Sequence, residues 1–198
     1  LSRGLGDVYK RQGQDGVDIV LRSSSFGLLS GSLRWFGRMQ REMADGFTKR
    51  NSMDMLATPL GEWARVREET TGRVFLVGKF LQMPVSVELE SADIEQVDFD
   101  FIQDKVSKFA QIKRQTELFF EHIARNSPDL LGLAAGARLA DCRDCIACPE
   151  FAFGSGAGSW SIVYRESVFP ISEPYGILVN YFGDDVVGFE DISDAEEC

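Results

Sequence analysis

The stretch from Asp100 to Arg125 constrains the fold of this chain more than any other. Ile102, Val106, Phe109, Ile112, Phe119 or Phe120, and Ile123 recur at helical spacing, while Lys105, Lys108, Lys113, Arg114 and Glu117 fall on other faces. Asn126, Ser127 and Pro128 end the pattern. A helix this amphipathic must bury its stripe, and the segments on either side of it read as strands. EWARVR and GRVFLVGKFL are rich in β-branched and aromatic residues. QMP then turns the chain into VSVELE, where Val85, Val87 and Leu89 alternate with Ser86, Glu88 and Glu90. Beyond the helix, WSIVYRE and YGILVNYF are separated by a loop with Pro170 and Pro174, and GDD folds YGILVNYF onto VVGFED as a hairpin. The pattern predicts one α+β domain, an antiparallel sheet with one long amphipathic helix packed on one face.

The rest of the chain carries weaker patterns. Leu130 to Gly158 reads as irregular: LLGLAAGARLAD as an Ala-rich second helix, then a cysteine cluster, then FGSGAGS as a Gly/Ser linker. The tail SDAEEC reads as solvated. Upstream, SSSFGLLSGSL has a loop composition, and Ser32 can cap a short helix with the stripe Phe36, Met39, Met43 and Phe47. Gly37 and Gly46 oppose that helix by about 1 kcal/mol each. Charge divides the chain near Met53, with nine Lys/Arg against five Asp/Glu in residues 1–52 and 12 against 26 in residues 53–198. The expected organisation is a leader over 1–12, an uncertain or loosely structured stretch over 13–52, and a single α+β domain over 53–198.

Composition narrows the function classes. With 44% apolar residues in 198, the chain can build a packed core. Its formal charge of −10 opposes sequence-independent nucleic-acid binding, which needs clustered cations, and favours a basic protein partner. No apolar run approaches the roughly 18 residues of a membrane span, and the start lacks the order of a signal peptide, so the expected location is the cytoplasm.

Cys142, Cys145 and Cys148, at C-x2-C-x2-C spacing in CRDCIACPE, are the sharpest local motif. Such gaps let thiolates converge on zinc or an iron–sulfur cluster, with Cys198, His122 or Asp141 as a fourth ligand. The bland reading is a set of reduced, mostly buried thiols in a variable loop. His122, the one histidine, reads as a helix-edge residue, since no local pattern supplies a nucleophile and an orienting acid. The acid pairs Glu68/Glu69, Asp93/Glu95, Asp98/Asp100, Asp184/Asp185 and Glu190/Asp191 read as solvated turns and strand edges, although paired acids can also divide acid and base roles. GSGAG lacks the following helix of a phosphate cradle. Trp63, Trp160, Tyr164, Tyr175 and Tyr181 read as core, with a share available to a partner surface. No catalytic residue is assigned.

From Met53 onward, the order of short strands, SADIE turn, long helix, WSIVYRE and YGILVNYFGDDVVGFEDIS resembles small bacterial domains of unknown function, several of them among candidate immunity proteins that neutralise a neighbour's toxin. The resemblance implies a non-enzymatic module that docks a basic toxin through an acidic surface; it brings no catalytic residues and no cysteine cluster. The alternative is a small zinc or iron–sulfur domain built on Cys142, Cys145 and Cys148. Ser2 to Gln12 resemble something else, the translated transposon end and primer arm used to tag DNA fragments for sequencing, as in a metagenomic fragment. That resemblance implies a non-native leader, with native translation starting at Met43, Met53 or Met55 and a C-terminus at Cys198 that need not be native.

Overall fold

A computed structural model describes residues 54–68, 71–90, 94–134, 142–154 and 158–192. The readings of 1–52, of residues 135–140 in the Ala-rich stretch, and of Glu69, Asp93, Asp141 and Cys198 lie outside these residues.

Among the described residues eight strands form one sheet in sequential order: β1 (Asp54–Thr58), β2 (Gly61–Arg67), β3 (Val74–Phe80), β4 (Met83–Leu89), β5 (Ile146–Phe153), β6 (Ser159–Ser167), β7 (Ile177–Phe182) and β8 (Asp185–Asp191). Neighbours pair antiparallel except at the centre, where β4 and β5 run parallel through Val85–Val87 and Phe151–Phe153. The sheet is therefore mixed, which corrects the antiparallel expectation. The helical segment leaves the carboxyl end of β4 and returns the chain to the opposite end of the sheet, so β5 can only enter in parallel.

That segment is also two helices rather than one long one, α1 (Phe99–Ser107) and α2 (Phe109–Asn126). Lys108 separates them at φ −89° and ψ 11°, outside helical dihedrals. No Gly or Pro marks the break, so the apolar stripe runs through it in the sequence. Asp98 caps α1, its side chain accepting from the Phe101 amide at 2.9 Å.

Strand β5 was not legible, because Cys148 and Pro149 give IACPEFAF the look of a loop. Pro149 faces Tyr164 of β6 but lies beyond the β4 ladder, a position that a sheet tolerates for proline. The turn before β4 is Leu81–Gln82 rather than QMP, with φ of 50° and 68°, the two positive values of a type I′ hairpin. FGSGAGS connects two antiparallel strands, with Phe153 facing Trp160 across it.

One face of the sheet carries the main core. Trp160 stacks on Tyr181 at 4.3 Å between ring centroids, and Phe151 and Phe153 extend the stack at 6.0 and 5.8 Å from Trp160. Both helices meet this face edge-on through aromatics: Phe99 on Trp63, Phe101 on Phe153, Phe109 on Phe151 and Phe120 on Phe189. Ile102, Val106, Ile112, Phe120 and Ile123 of the stripe are buried. Opposite Trp63 stands Gly78, where a Cβ would lie 2.3 Å from the indole Cδ1, so the ring lies where a side chain on β3 would project.

Candidate functional site

The sequence builds a crevice where the parallel pair ends. β4 and β5 both terminate at the same end of the sheet, and the chain enters α1 there through Ile94–Gln96. The resulting cleft, of about 300 Å³, is lined by Val87 to Glu90 at the end of β4, by Gln96, Val97 and Asp98, by Phe101 and Ile102 of α1, and by Phe153, Gly154, Gly158 and Ser159.

Its chemistry is acidic over aromatic. Glu88, Glu90 and Asp98 line it. Glu88 pairs with Arg73 at 3.3 Å and Asp98 is engaged as the α1 cap. Phe101 and Phe153 meet at 6.1 Å in a T-shaped contact on its wall, with Phe153 itself buried. Lys105 supports this wall from behind, its Nζ 5.0 Å from the Phe101 centroid and paired with Asp184 and with Asp104. Burial disfavours the Lys105 ammonium, but hydrogen bonds to Asp184 and Asp104 outweigh it and hold its pKa above the ordinary lysine value. The lysine's charge is thus spent within the fold, tying α1 to the β7–β8 turn.

The cysteines separate into a buried pair and an exposed thiol. Cys142 and Cys145 are joined as a disulfide with their Cα atoms 5.0 Å apart, which corrects the reading of all three as reduced. Cys148 is a free, exposed thiol on β5. A hydrogen bond to Glu166, with some burial and nearby Glu150, pushes its pKa up, favouring the neutral thiol, whereas a metal ligand must be thiolate. Among the described residues no group of three or more His, Cys, Asp or Glu is placed to hold an ion. The loop between the paired cysteines is clamped to α2: the Asp144 amide donates to Glu117 Oε1 at 2.8 Å, and Lys113 pairs with Asp144 at 2.6 Å and Glu117 at 3.4 Å.

His122 is exposed on α2, where the Asn126 amide approaches its ring at 3.2 Å. Glu68 accepts from Thr71, Asp184 pairs with Lys105, and Glu190 accepts from Asn180 at 2.9 Å. These acids serve turns and strand edges. Trp63, Trp160, Tyr164 and Tyr181 are core residues; Tyr175 is only half-buried.

A hydroxyl chain lies within the core. Thr116 donates to the Ile112 carbonyl at 2.9 Å, which leaves its oxygen to accept from Tyr181 at 2.6 Å, and Tyr181 in turn to accept from Tyr164 at 3.3 Å. Burial pushes Tyr164 up to about 12. The neutral phenol is the form the fold retains, so its contribution is complete below the unfolded pKa of 10.0 and lost as pH rises toward the folded value. Unfolding free energy should fall by about 2 kcal/mol between pH 10 and 12 on account of this group. Urea midpoints measured across that range check it, and a flat profile would contradict the shift.

Sequence reasoning missed the cleft because it depends on the parallel pairing. The available signal was the density of acids in VELESADIEQVD directly after a strand. No protein family, no curated protein and no solved structure matches the chain. No described helix is long and apolar enough to cross a membrane.

Proposed function

We propose that this chain is a non-enzymatic protein-binding module of the immunity-protein type, and that its acidic cleft receives a basic group of a protein partner such as a basic toxin. The observation that carries this reading is the cleft itself, which Glu88, Glu90 and Asp98 line together with the half-buried Phe101. A guanidinium or ammonium is the ligand suited to it, because carboxylates attract and hydrogen-bond cations. The excess of acid over base in residues 53–198 adds long-range steering toward a basic surface.

Cytoplasmic residence belongs to this reading. The Cys142–Cys145 bond weighs against a strongly reducing compartment. Thiol titration of protein taken from fresh lysate decides that point. The zinc or iron–sulfur alternative gains no support from the placement of the three cysteines.

The test is co-purification with the products of genes flanking its own, followed by affinity measurement on a double variant, Glu90→Gln with Asp98→Asn. Asparagine still caps a helix, so the fold is kept while two charges leave the cleft. Association should be salt-sensitive and about tenfold weaker in the variant, or about 1.4 kcal/mol. Unchanged affinity would remove the cleft from the reading, and failure of every neighbouring product to bind would remove the reading.

A further inference from the structure

The disulfide between Cys142 and Cys145 crosslinks nothing but its own turn. The cysteines are three positions apart, and the Cys145 amide already donates to the Cys142 carbonyl at 3.2 Å to close that turn. A crosslink stabilises a fold mainly by shortening the loops of the unfolded chain, and its effect grows with loop length, so a bridge this short is a poor staple. What it fixes is the shape of the turn. Asp144 sits at φ +58°, in the left-handed region, and there its amide meets Glu117 and its carboxylate meets Lys113 of α2. β5 starts directly after the turn at Ile146.

The third thiol is kept apart from this pair. Ile146 and Ala147 are extended and paired with Ser167 and Glu166, which sets the Cys148 Cα about 10 Å from that of Cys145, beyond the roughly 7 Å at which two cysteines can be bridged. The hydrogen bond from Cys148 to Glu166 also favours the neutral thiol, whereas exchange needs a thiolate. Cys142 and Cys145 thus form an isolated two-electron couple.

We propose that this couple is a redox latch: as the disulfide it holds the turn against α2 through Glu117 and Lys113, and as the dithiol it lets the turn go. The reductant is a dithiol. One of its thiolates attacks a sulfur of the pair, the S–S bond breaks, and the departing sulfur takes up a proton; its second thiolate then breaks the mixed disulfide, and the other cysteine is protonated in turn. Two electrons and two protons pass to the chain, and the reductant leaves as a disulfide. Cys142 has no exposed surface and Cys145 only 3%, so sulfurs that are no longer bonded must move apart inside a packed site. Arg143 and Asp144, exposed between them, are the part that yields. Asp144 then leaves the left-handed conformation, and its contacts with Glu117 and Lys113 go with it.

The test uses the full chain with Cys148→Ser and Cys198→Ser, so that the pair holds the only thiols, equilibrated against reduced and oxidised dithiothreitol. Alkylation followed by mass measurement should give one reversible two-electron titration. In the reduced form the Asp144 and Cys145 amides should exchange hydrogen roughly tenfold faster, while those of Leu178 and Val179 in β7 stay protected. Failure of excess dithiothreitol to reduce the native chain, unchanged exchange at Asp144, or lost protection in β7 as well would each overturn the proposal. The same exchange comparison on the unaltered chain guards against a folding defect from the two serines.

Discussion

Gly176→Ala is expected to cost about 2 to 5 kcal/mol of stability. Gly176 immediately precedes β7 at φ +100°, and an added Cβ would sit 2.3 Å from the Tyr164 carbonyl oxygen and 2.9 Å from the Arg165 Cα. Both contacts are with the backbone of β6, the central partner of β7, so relief requires the strands to separate. The residue is also fixed from its other side, its amide donating to the Ser172 carbonyl at 2.6 Å. Gly72→Ala is the matched control: φ there is +73°, but nothing lies within 4 Å of the added carbon, so only conformational strain remains, about 1 to 2 kcal/mol. Urea denaturation of the two variants separates clash from strain, and equal losses would refute the close approach of β6 to Gly176.

Glu117→Ala should cost about 2 to 4 kcal/mol, because it strands partners around a carboxylate that is itself buried. The change removes an acceptor from the Asp144 amide and one partner each from Lys113 and Arg114. Lys113 keeps Asp144, and both cations are partly solvated, which holds the cost below that of a fully buried ion pair. Glu117→Gln retains an oxygen for the Asp144 amide and should lose about 1 kcal/mol. Hydrogen exchange supplies the local readout: the Asp144 amide should lose protection in the alanine variant and keep it in the glutamine variant. Equal protection in both would show that Glu117 does not hold the disulfide loop.

The clamp also shows why the candidate site was only partly legible. Glu117 falls off the apolar stripe of its helix and reads as a solvated acid, until β5 brings residues 142–145 against α2. Lys105 is a similar case, since its partner Asp184 lies 79 residues away in a hairpin turn whose local chemistry already accounts for an aspartate. The acids of the cleft were visible as residues but not as a site. Glu88 and Glu90 occupy alternate positions of an ordinary half-wet strand, and Asp98 is indistinguishable from any other helix cap. For the cysteines, the spacing allows a metal set or a disulfide equally, and only the fold pairs Cys142 with Cys145 and leaves Cys148 on a strand.

What the sequence determined by itself was whatever rests on neighbours a few residues apart. The helical stripe from Ile102 to Ile123, the alternation of Val85, Val87 and Leu89, and the hairpin at Gly183 all follow from side-chain periodicity and turn chemistry, and each appears where the pattern put it. Tertiary structure alone decided that β4 and β5 run parallel, that the helix breaks at Lys108, and that a cleft opens at the end of the central pair. The physical reason is that an alternating strand buries the same residues beside a parallel or an antiparallel neighbour. The choice is made by the direction in which the helical crossover returns the chain, and no local pattern records that direction.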